Sequence, residues 1–218
     1  MDIEEIKQAL DNSDPQLRMR GIRELRQYDA EIATPLLLNC INDQEFLVRS
    51  FVAMGLRQKR SPQGYEALLK MMQTDSDPNV RSEAANSLSY YGQDAIPHLR
   101  TMYEADSHWL VRRSILAALA DSQAYPELLE VCELGLSGED LPVIESCISC
   151  LGIFTNTPYE TKAVELLLPL VTDESWRIRL QVAKALGKYQ TESAIAASQQ
   201  LKNDPDHRVV GAVLESLV

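Results

Sequence analysis

Apolar residues recur along the chain with the period of an α-helix. In the segment DPNVRSEAANSL, the residues Val80, Ala84, Ala85 and Leu88 fall on one face of a helix with 3.6 residues per turn. A convincing alternation of apolar and polar residues, which would indicate half-buried strands, does not occur. The pattern therefore predicts an all-α protein without a β-sheet.

This helical segment occurs seven times. Its copies align on Arg18, Arg49, Arg81, Arg112, Ile144, Arg179 and Val210, with spacings of 31, 32, 31, 32, 35 and 31 residues. An aliphatic residue precedes each aligned position, and a leucine follows seven residues after it, from Leu25 in the first copy to Leu217 in the last. Regular self-similarity of this length indicates stacked structural repeats.

Each repeat contains a second amphipathic run upstream of the aligned segment, such as Ile3–Leu10 and Ala194–Leu201. Pro35 falls near the start of its run, whereas Pro169 falls late in its own and is expected to bend or end that helix. A capping column marks where the second helix of each repeat should begin, and its members are Asp14, Glu45, Asp77, His108, Asp140, Ser175 and Asp206. One helical hairpin cannot bury its apolar stripe alone, so neighbouring hairpins must stack. We predict an α-α superhelix of about seven hairpins in a single domain over 1–218. The expected repeats are 1–28, 29–60, 61–91, 92–122, 123–156, 157–189 and 190–218.

The recurring pattern D-x-x-V-R-x-x-A-x-x-x-L resembles the HEAT repeat, in the short form of the phycobilisome-lyase-like HEAT family. The segments FLVRSFVAMGL, HWLVRRSILAALAD and DPDHRVVGA are similar to a cyanobacterial branch that contains bilin lyase subunits, phycobilisome-degradation factors and an adaptor for an iron–sulfur carrier. The resemblance implies a HEAT-repeat solenoid of cyanobacterial origin. It also implies a ladder between repeats, with Asp43, Asp75, Asp106 and Asp173 on one side and Arg49, Arg81, Arg112 and Arg179 on the other.

The charge and length restrict the class of protein. The 218 residues contain 21 Lys and Arg against 32 Asp and Glu, a net charge of -11 at pH 7. This balance argues against nucleic acid as a partner, because cationic side chains must neutralise its phosphates. No apolar run reaches the roughly 18–20 residues of a membrane span, and the acidic N-terminus is unlike a secretory signal. We therefore expect a cytoplasmic protein, and the oligomeric state is left open.

Candidate chemistry is sparse. His98, His108 and His207 form neither an H-E-x-x-H motif nor His-Glu pairs, and no glycine-rich phosphate loop is present. Cys147 and Cys150 lie three residues apart on one helix and could hold a metal or cluster. Cys147 also occupies a core column, where a thiol commonly replaces a small hydrophobic residue. We expect a protein that is not an enzyme and has no cofactor or metal, with this cysteine pair as the alternative metal site.

A binding surface is expected on the outward face of the second helices, which lines the concave side of HEAT-type solenoids. The outward columns lie one, two and five residues after each aligned position, and the first of them includes Met19, Ser50 and Ser82. The candidate residues are Arg20, Phe51, Met54, Glu83, Asn86, Arg113, Ala117 and Leu180. Phe51 and Met54 are large apolar groups at outward positions, although they could also pack against a neighbouring repeat. The cationic run of Arg57, Lys59 and Arg60 is expected in a loop between repeats, although this positive charge near Phe51 and Met54 could also contact an acidic partner. The tyrosines near helix ends suit an interface, and these are Tyr28, Tyr90, Tyr91 and Tyr189.

The most direct functional expectation is a non-catalytic scaffold for protein–protein interactions. It would grip a partner protein with the concave face around repeats two to four. The resemblance leaves two alternatives open: a bilin lyase or chaperone-type subunit acting on phycobiliproteins, and an adaptor in iron–sulfur cluster assembly. The partner would then be a phycobiliprotein or an iron–sulfur carrier, and the ligand a bilin or a cluster.

Overall fold

All regular secondary structure is helical in the computed structural model, which describes residues 1–216. The first helices of the seven hairpins are α1 (Ile3–Leu10), α3 (Ala30–Asn39), α5 (Pro62–Thr74), α7 (Ile96–Ala105), α9 (Tyr125–Leu136), α11 (Glu160–Leu167) and α13 (Glu192–Leu201). The second helices are α2 (Pro15–Glu24), α4 (Phe46–Lys59), α6 (Pro78–Ser89), α8 (Trp109–Asp121), α10 (Leu141–Leu151), α12 (Trp176–Leu186) and α14 (His207–Glu215). Within residues 1–216, the all-α, solenoid-class fold with seven hairpins is confirmed.

The chain is divided into two compact units, Met1–Ala118 and the part from Leu119 onward, and the boundary falls within α8. In the first unit, the second helices α2, α4 and α6 pack side by side in chain order. In the second unit, α10, α12 and α14 do the same. The division of 1–218 into one domain with seven stated repeats stays a prediction.

The recurring columns form the core of each unit. Val80, Ala84, Ala85 and Leu88 have no exposed surface, as the helical period predicted. Leu25 and the equivalent leucines of the other described repeats are also buried, and these are Leu56, Leu88, Leu119, Leu151 and Leu186. The seventh leucine, Leu217, lies outside the described residues.

Residues of the capping column accept backbone N–H groups at the starts of four helices. The side chains of Asp14, Asp77 and Asp206 accept backbone N–H groups at the starts of α2, α6 and α14. His108 accepts the N–H of Leu110 through Nδ1 at 3.2 Å. Glu45, Asp140 and Ser175 make no such bond, so the prediction of a side-chain cap was wrong there. Glu is outside the short, polar residue types that favour this position.

Two prolines have different effects on their helices. Helix α11 ends at Leu167, and residues Leu168–Thr172 continue as a 3₁₀ turn that contains Pro169. This agrees with the expectation that Pro169 bends or ends its helix, because proline lacks the N–H that an α-helix needs. Pro35, expected near the start of its helix, lies inside α3, which begins earlier at Ala30.

The aligned arginines join consecutive repeats. Arg49 donates from Nε to Asp75 Oδ2 at 2.7 Å and from Nη2 to Asp75 Oδ1 at 2.8 Å. Its Nη1 donates to the carbonyl oxygen of Asp43 in its own turn at 2.7 Å. The same arrangement occurs in the pairs Arg18–Asp43, Arg81–Asp106 and Arg179–Asp204. Each guanidinium therefore ties two successive turns together through charge-assisted hydrogen bonds.

The ladder carboxylates also order the start of the next helix. Asp75 Oδ1 accepts the N–H of Asp77 at 2.9 Å, and Asp43 and Asp106 make the equivalent bonds. Burial alone would raise the pKa of Asp75, but the hydrogen bonds from Arg49 and the Asp77 N–H outweigh it and hold the pKa below its usual value. The hydrogen bond from Arg179 is the main reason that the pKa of Asp204 is lowered.

The implied ladder was wrong at two members. Arg112 donates from Nε to the backbone oxygen of Asp106 in its own repeat at 2.8 Å. Asp173 accepts the N–H of Ser175 at 2.8 Å, and the aligned position of the preceding repeat holds Ile144, which has no donor. The expectation omitted Arg18 and Asp204, which are both ladder members.

Two of the tyrosines act inside the stack. The Tyr91 hydroxyl donates to the carbonyl oxygen of Leu56 at 2.9 Å, and the Tyr189 hydroxyl donates to that of Leu151. Leu56 and Leu151 are the recurring leucines of the preceding repeats. The expectation of an interface role was therefore wrong for Tyr189, which is 3% exposed, whereas Tyr91 is half-buried and Tyr90 is 47% exposed.

Candidate protein-binding cleft

An apolar cleft lies between α2, α3 and α4 in the first unit and has a volume of about 220 Å³. Its apolar lining consists of Ile22, Leu25, Leu37, Phe51 and Met54. Its polar lining consists of Arg23, Arg26, Gln58 and Lys59. We call this site the Phe51 cleft. It combines apolar surface with three cationic side chains.

Gly55 explains how three helices meet around this cleft. A Cβ atom at Gly55 would lie 2.7 Å from Cδ2 of Leu37, which is closer than van der Waals contact allows. Glycine thus lets Leu37 of α3 approach the backbone of α4. Since a glycine inside a helix costs about 1 kcal/mol relative to alanine, this close approach is its structural justification.

The cationic rim is partly held in place. The Lys59 ammonium donates to the carbonyl oxygen of Arg26 at 2.8 Å and to that of Tyr28. These oxygens belong to the end of the 3₁₀ turn Leu25–Gln27, where a positive charge is favourable. Arg23 and Arg26 are exposed at the cleft. None of the side chains found lining it within residues 1–216 is a carboxylate.

The first unit carries most of the positive charge of this acidic chain. Fourteen of the 21 Lys and Arg residues fall within residues 1–118. Since Arg23, Arg26 and Lys59 line it, the Phe51 cleft offers a cationic, apolar surface on a protein whose net charge is -11. Such a surface is complementary to a segment that carries both carboxylates and bulky apolar side chains.

The structure brings together only some of the predicted site residues. Phe51 and Met54 line one cleft, and both are half-buried. Arg20 is exposed on α2 outside the cleft lining. Glu83 and Asn86 are half-buried on α6, where Glu83 accepts the Ser87 hydroxyl at 3.1 Å. Burial is the main cause of the raised pKa of Glu83.

The remaining predicted residues lie elsewhere. Arg113 and Ala117 are exposed on α8, with the Arg113 guanidinium 5.7 Å from the centre of the Trp109 ring. Leu180 is half-buried on α12 and belongs to the second unit. The binding face predicted on the second helices therefore stays a prediction. Of its residues, Phe51 and Met54 are the two that share one cleft.

Two expectations about the surface were wrong. The first outward column is buried at Met19, Ser50 and Ser82, which are 9%, 8% and 6% exposed. The cationic run after repeat two is not a loop, since α4 extends to Lys59. Within it, the Arg57 guanidinium lies 4.8 Å from the centre of the Tyr90 ring.

The sequence reasoning missed several cleft residues. Ile22 and Leu37 were assigned only to the general apolar pattern, and Arg26 lies outside the outward columns. Lys59 was singled out as part of the cationic run, but it was expected in a loop and not on α4. Gly55 was the available signal, because an interior helical glycine often indicates a close approach of another element.

A wider depression, of about 550 Å³, lies around the start of α5. Its lining includes the cation of Arg60 together with the carboxylates of Glu66 and Asp94, and the hydroxyl of Tyr91. The Tyr65 hydroxyl donates to the carbonyl oxygen of Asp94 at 3.0 Å. Because charges of both signs line this depression, it favours no particular class of ligand.

The cysteines are present as thiols. Cys147 is fully buried in its core column, and Cys150 is half-buried. Across residues 1–216, no group of three or more His, Cys, Asp and Glu side chains is placed to hold a metal ion. In the same part of the chain, no helix is both long and apolar enough to cross a membrane.

The chain belongs to the HEAT-repeat family, whose model matches residues 3–89, 34–120 and 125–218. This agrees with the fold and with the arginine ladder. No curated protein sequence matches the chain.

Solved structures support the same fold. The YibA protein of Escherichia coli is 15% identical with a TM-score of 0.63, and the match covers 100% of this chain and 92% of that one. The complex of CpcE and CpcF of phycocyanin lyase from Nostoc sp. PCC7120 is 18% identical with a TM-score of 0.56, and the match covers 100% and 87%. At sequence identities of 15% and 18%, these matches show similarity of fold alone.

Proposed function

We propose that the chain is a non-catalytic adaptor that binds a partner protein through the Phe51 cleft. The partner would contribute an acidic segment with a bulky apolar side chain. The observation that carries this proposal is the apolar lining around Phe51 and Met54 beside three cationic groups. The proposal also takes the protein to be cytoplasmic and of cyanobacterial origin.

The size of the cleft favours a side chain over a cofactor. Pockets for small molecules and cofactors commonly measure about 300–1,000 Å³. The Phe51 cleft, at about 220 Å³, falls below that range. A single apolar anchor in such a pocket commonly contributes much of the binding energy of a protein interface.

The cleft is built from connected elements, which favours binding. Arg18 and Arg49 tie the turns of the first three repeats together, and Lys59 ties α4 to the 3₁₀ turn after α2. A surface held in this way loses little conformational entropy when a ligand binds.

Fluorescence anisotropy with a labelled acidic peptide that contains Leu and Phe tests the proposal. We expect Phe51→Ala to weaken binding about tenfold or more, which corresponds to about 1.4 kcal/mol. Arg26→Glu should weaken it as well, because it reverses a charge at the rim. Circular dichroism should show unchanged helicity in both variants.

Arg20→Glu is the matched control, since Arg20 is exposed on the same helix but lies outside the cleft. We expect this variant to bind much more tightly than Arg26→Glu. Equal losses in the two variants, unchanged binding by Phe51→Ala, or no binding by the unaltered protein would each contradict the proposal.

A bilin lyase or chaperone-type subunit is the second candidate function. The fold similarity to CpcE and CpcF supports it, together with the sequence resemblance. This candidate predicts a shifted absorption band when the protein is mixed with a free bilin. A phycobiliprotein and an iron–sulfur carrier are the two partner proteins to test against the same cleft variants.

A further inference from the structure

Three of the four cysteines meet between α9 and α10 in the second unit. The Cys132 thiol, on α9, donates to the carbonyl oxygen of Cys147 at 3.7 Å. A helical carbonyl oxygen points toward the following turn, where Cys150 lies, so this contact places the Cys132 sulfur beside both cysteines of α10. The binding proposal uses none of these residues, and the cluster is a separate feature of the molecule.

The three thiols have different surroundings. Cys132 and Cys147 have no exposed surface, whereas Cys150 is half-buried. The ammonium of Lys188 lies at the same end of α10, where its Nζ is 3.3 Å from the Cβ position of a side chain placed at Gly152. Cys150 is therefore the thiol with both solvent access and a nearby cation, the surroundings typical of a reactive cysteine.

The electrostatic surroundings also favour Cys150 as the more reactive thiol. The neighbouring Cys132 side chain and the charge of Lys188 lower the pKa of Cys150, although burial and Asp121 oppose them. Burial is the main reason that the pKa of Cys132 is raised. At neutral pH, Cys150 thus forms a thiolate more readily than Cys132, which keeps its proton.

We propose that Cys150 and Cys132 are a thiol pair that hydrogen peroxide oxidises to a disulfide. The Cys150 thiolate attacks one peroxide oxygen, the O–O bond breaks, and the departing hydroxide takes up a proton to become water. This leaves Cys150 as a sulfenic acid. The sulfur of Cys132 then attacks the Cys150 sulfur, the S–O bond breaks, and the departing hydroxide leaves as water with the Cys132 proton. Two thiols are oxidised, and one peroxide is reduced to two waters.

Geometry selects Cys132 over Cys147 as the resolving thiol. Residues three apart on a helix have Cβ atoms about 5–6 Å apart. A disulfide needs Cβ atoms about 3.5–4.5 Å apart, so Cys147 and Cys150 cannot be joined without distorting α10. Cys132 approaches from the neighbouring helix and meets no such restriction.

The experiment uses the full chain, reduced and then treated with hydrogen peroxide. We expect intact-protein mass spectrometry to show the loss of two hydrogen atoms, and peptide mapping to show a Cys132–Cys150 link. Cys40, in the first unit, should remain a thiol that can be alkylated after denaturation. No loss of mass under peroxide, or a link between any other pair, would overturn the proposal.

Variants separate the roles of the two thiols. Cys150→Ser should form no disulfide, and Cys147→Ala should form it as the unaltered chain does. Cys132→Ala should stop at the sulfenic acid, which dimedone labels at Cys150. A disulfide in Cys150→Ser, or the absence of dimedone label in a folded Cys132→Ala protein, would contradict the assignment. Circular dichroism identifies any variant that has not folded, and Cys132→Ser then replaces Cys132→Ala.

Discussion

Arg49 binds both carboxylate oxygens of Asp75, 26 residues further along the chain, at 2.7 and 2.8 Å. The two side chains are only 12% and 8% exposed, so the pair is largely screened from water. Removing one partner of such a pair leaves the other buried without its counter-charge, which is more costly than losing an exposed pair.

We therefore expect Asp75→Ala to lower the free energy of unfolding by about 3 kcal/mol. Lys162→Ala is the comparison, because its pair with Glu133 is about half exposed on both sides, and its loss should cost less than about 1 kcal/mol. Urea unfolding followed by circular dichroism measures both changes. Equal effects of the two substitutions would show that the ladder pair contributes no special stability.

The ladder also predicts how stability depends on acid. The pKa values of Asp43, Asp75, Asp106 and Asp204 are lowered in the folded chain, so each carboxylate stabilises the fold above the unfolded-state pKa of about 3.9. That contribution is lost as the pH falls from about 4 through the lower, folded-state pKa values. Urea unfolding at a series of pH values should show this decline, and Asp204→Asn should make it shallower.

Two interior glycines should respond to alanine in opposite ways. A Cβ at Gly55 would lie 2.7 Å from Leu37, whereas one at Gly211 would have no atom within 4 Å. We expect Gly211→Ala to stabilise the chain by up to about 1 kcal/mol through helix propensity. Gly55→Ala should instead destabilise it, since overpacking costs about 1–3 kcal/mol.

Gly55→Ala should also weaken binding of the acidic peptide, because Leu37 would be pushed into the Phe51 cleft. Thermal unfolding of Gly55→Ala and Gly211→Ala measures the change in stability, and fluorescence anisotropy with the labelled peptide measures the change in binding. Stabilisation by Gly55→Ala would contradict the close approach of α3 and α4.

Two buried serines form a further matched pair. The Ser50 hydroxyl donates to the carbonyl oxygen of Phe46 at 3.0 Å. The Ser82 hydroxyl is buried and has no hydrogen-bond partner in the described part of the chain. An unsatisfied buried hydroxyl costs about 1–3 kcal/mol, so Ser82→Ala should raise stability more than Ser50→Ala does. Chemical unfolding of the two variants decides the order.

The sequence predicted the repeat better than the site. Val80 and Leu88 were assigned to the core from helical spacing alone, and both are fully buried. That inference works because each repeat presents the same face to its neighbours, so local periodicity determines burial. The ladder was found by resemblance, but its register was not, because the partner of Arg18 lies in the turn of the following repeat.

The Phe51 cleft was harder to predict because it combines residues from separate helices. Phe51 and Met54 were selected as outward apolar groups, but Arg26 and Lys59 follow no repeating column. Their positions depend on the 3₁₀ turn after α2 and on the length of α4. Ser50 and Ser82 were expected to face outward, and the packing of adjacent second helices buries them instead.

In every rung the arginine precedes its aspartate, by 25 or 26 residues. Protein synthesis proceeds from the N-terminus, and chains begin to fold during it. When the turn that carries Asp75 leaves the ribosome, the helix that carries Arg49 has already been made. The aspartate of each new turn can therefore pair with an arginine that has already been synthesised. This order favours the addition of repeats to the folded stack in the direction of translation.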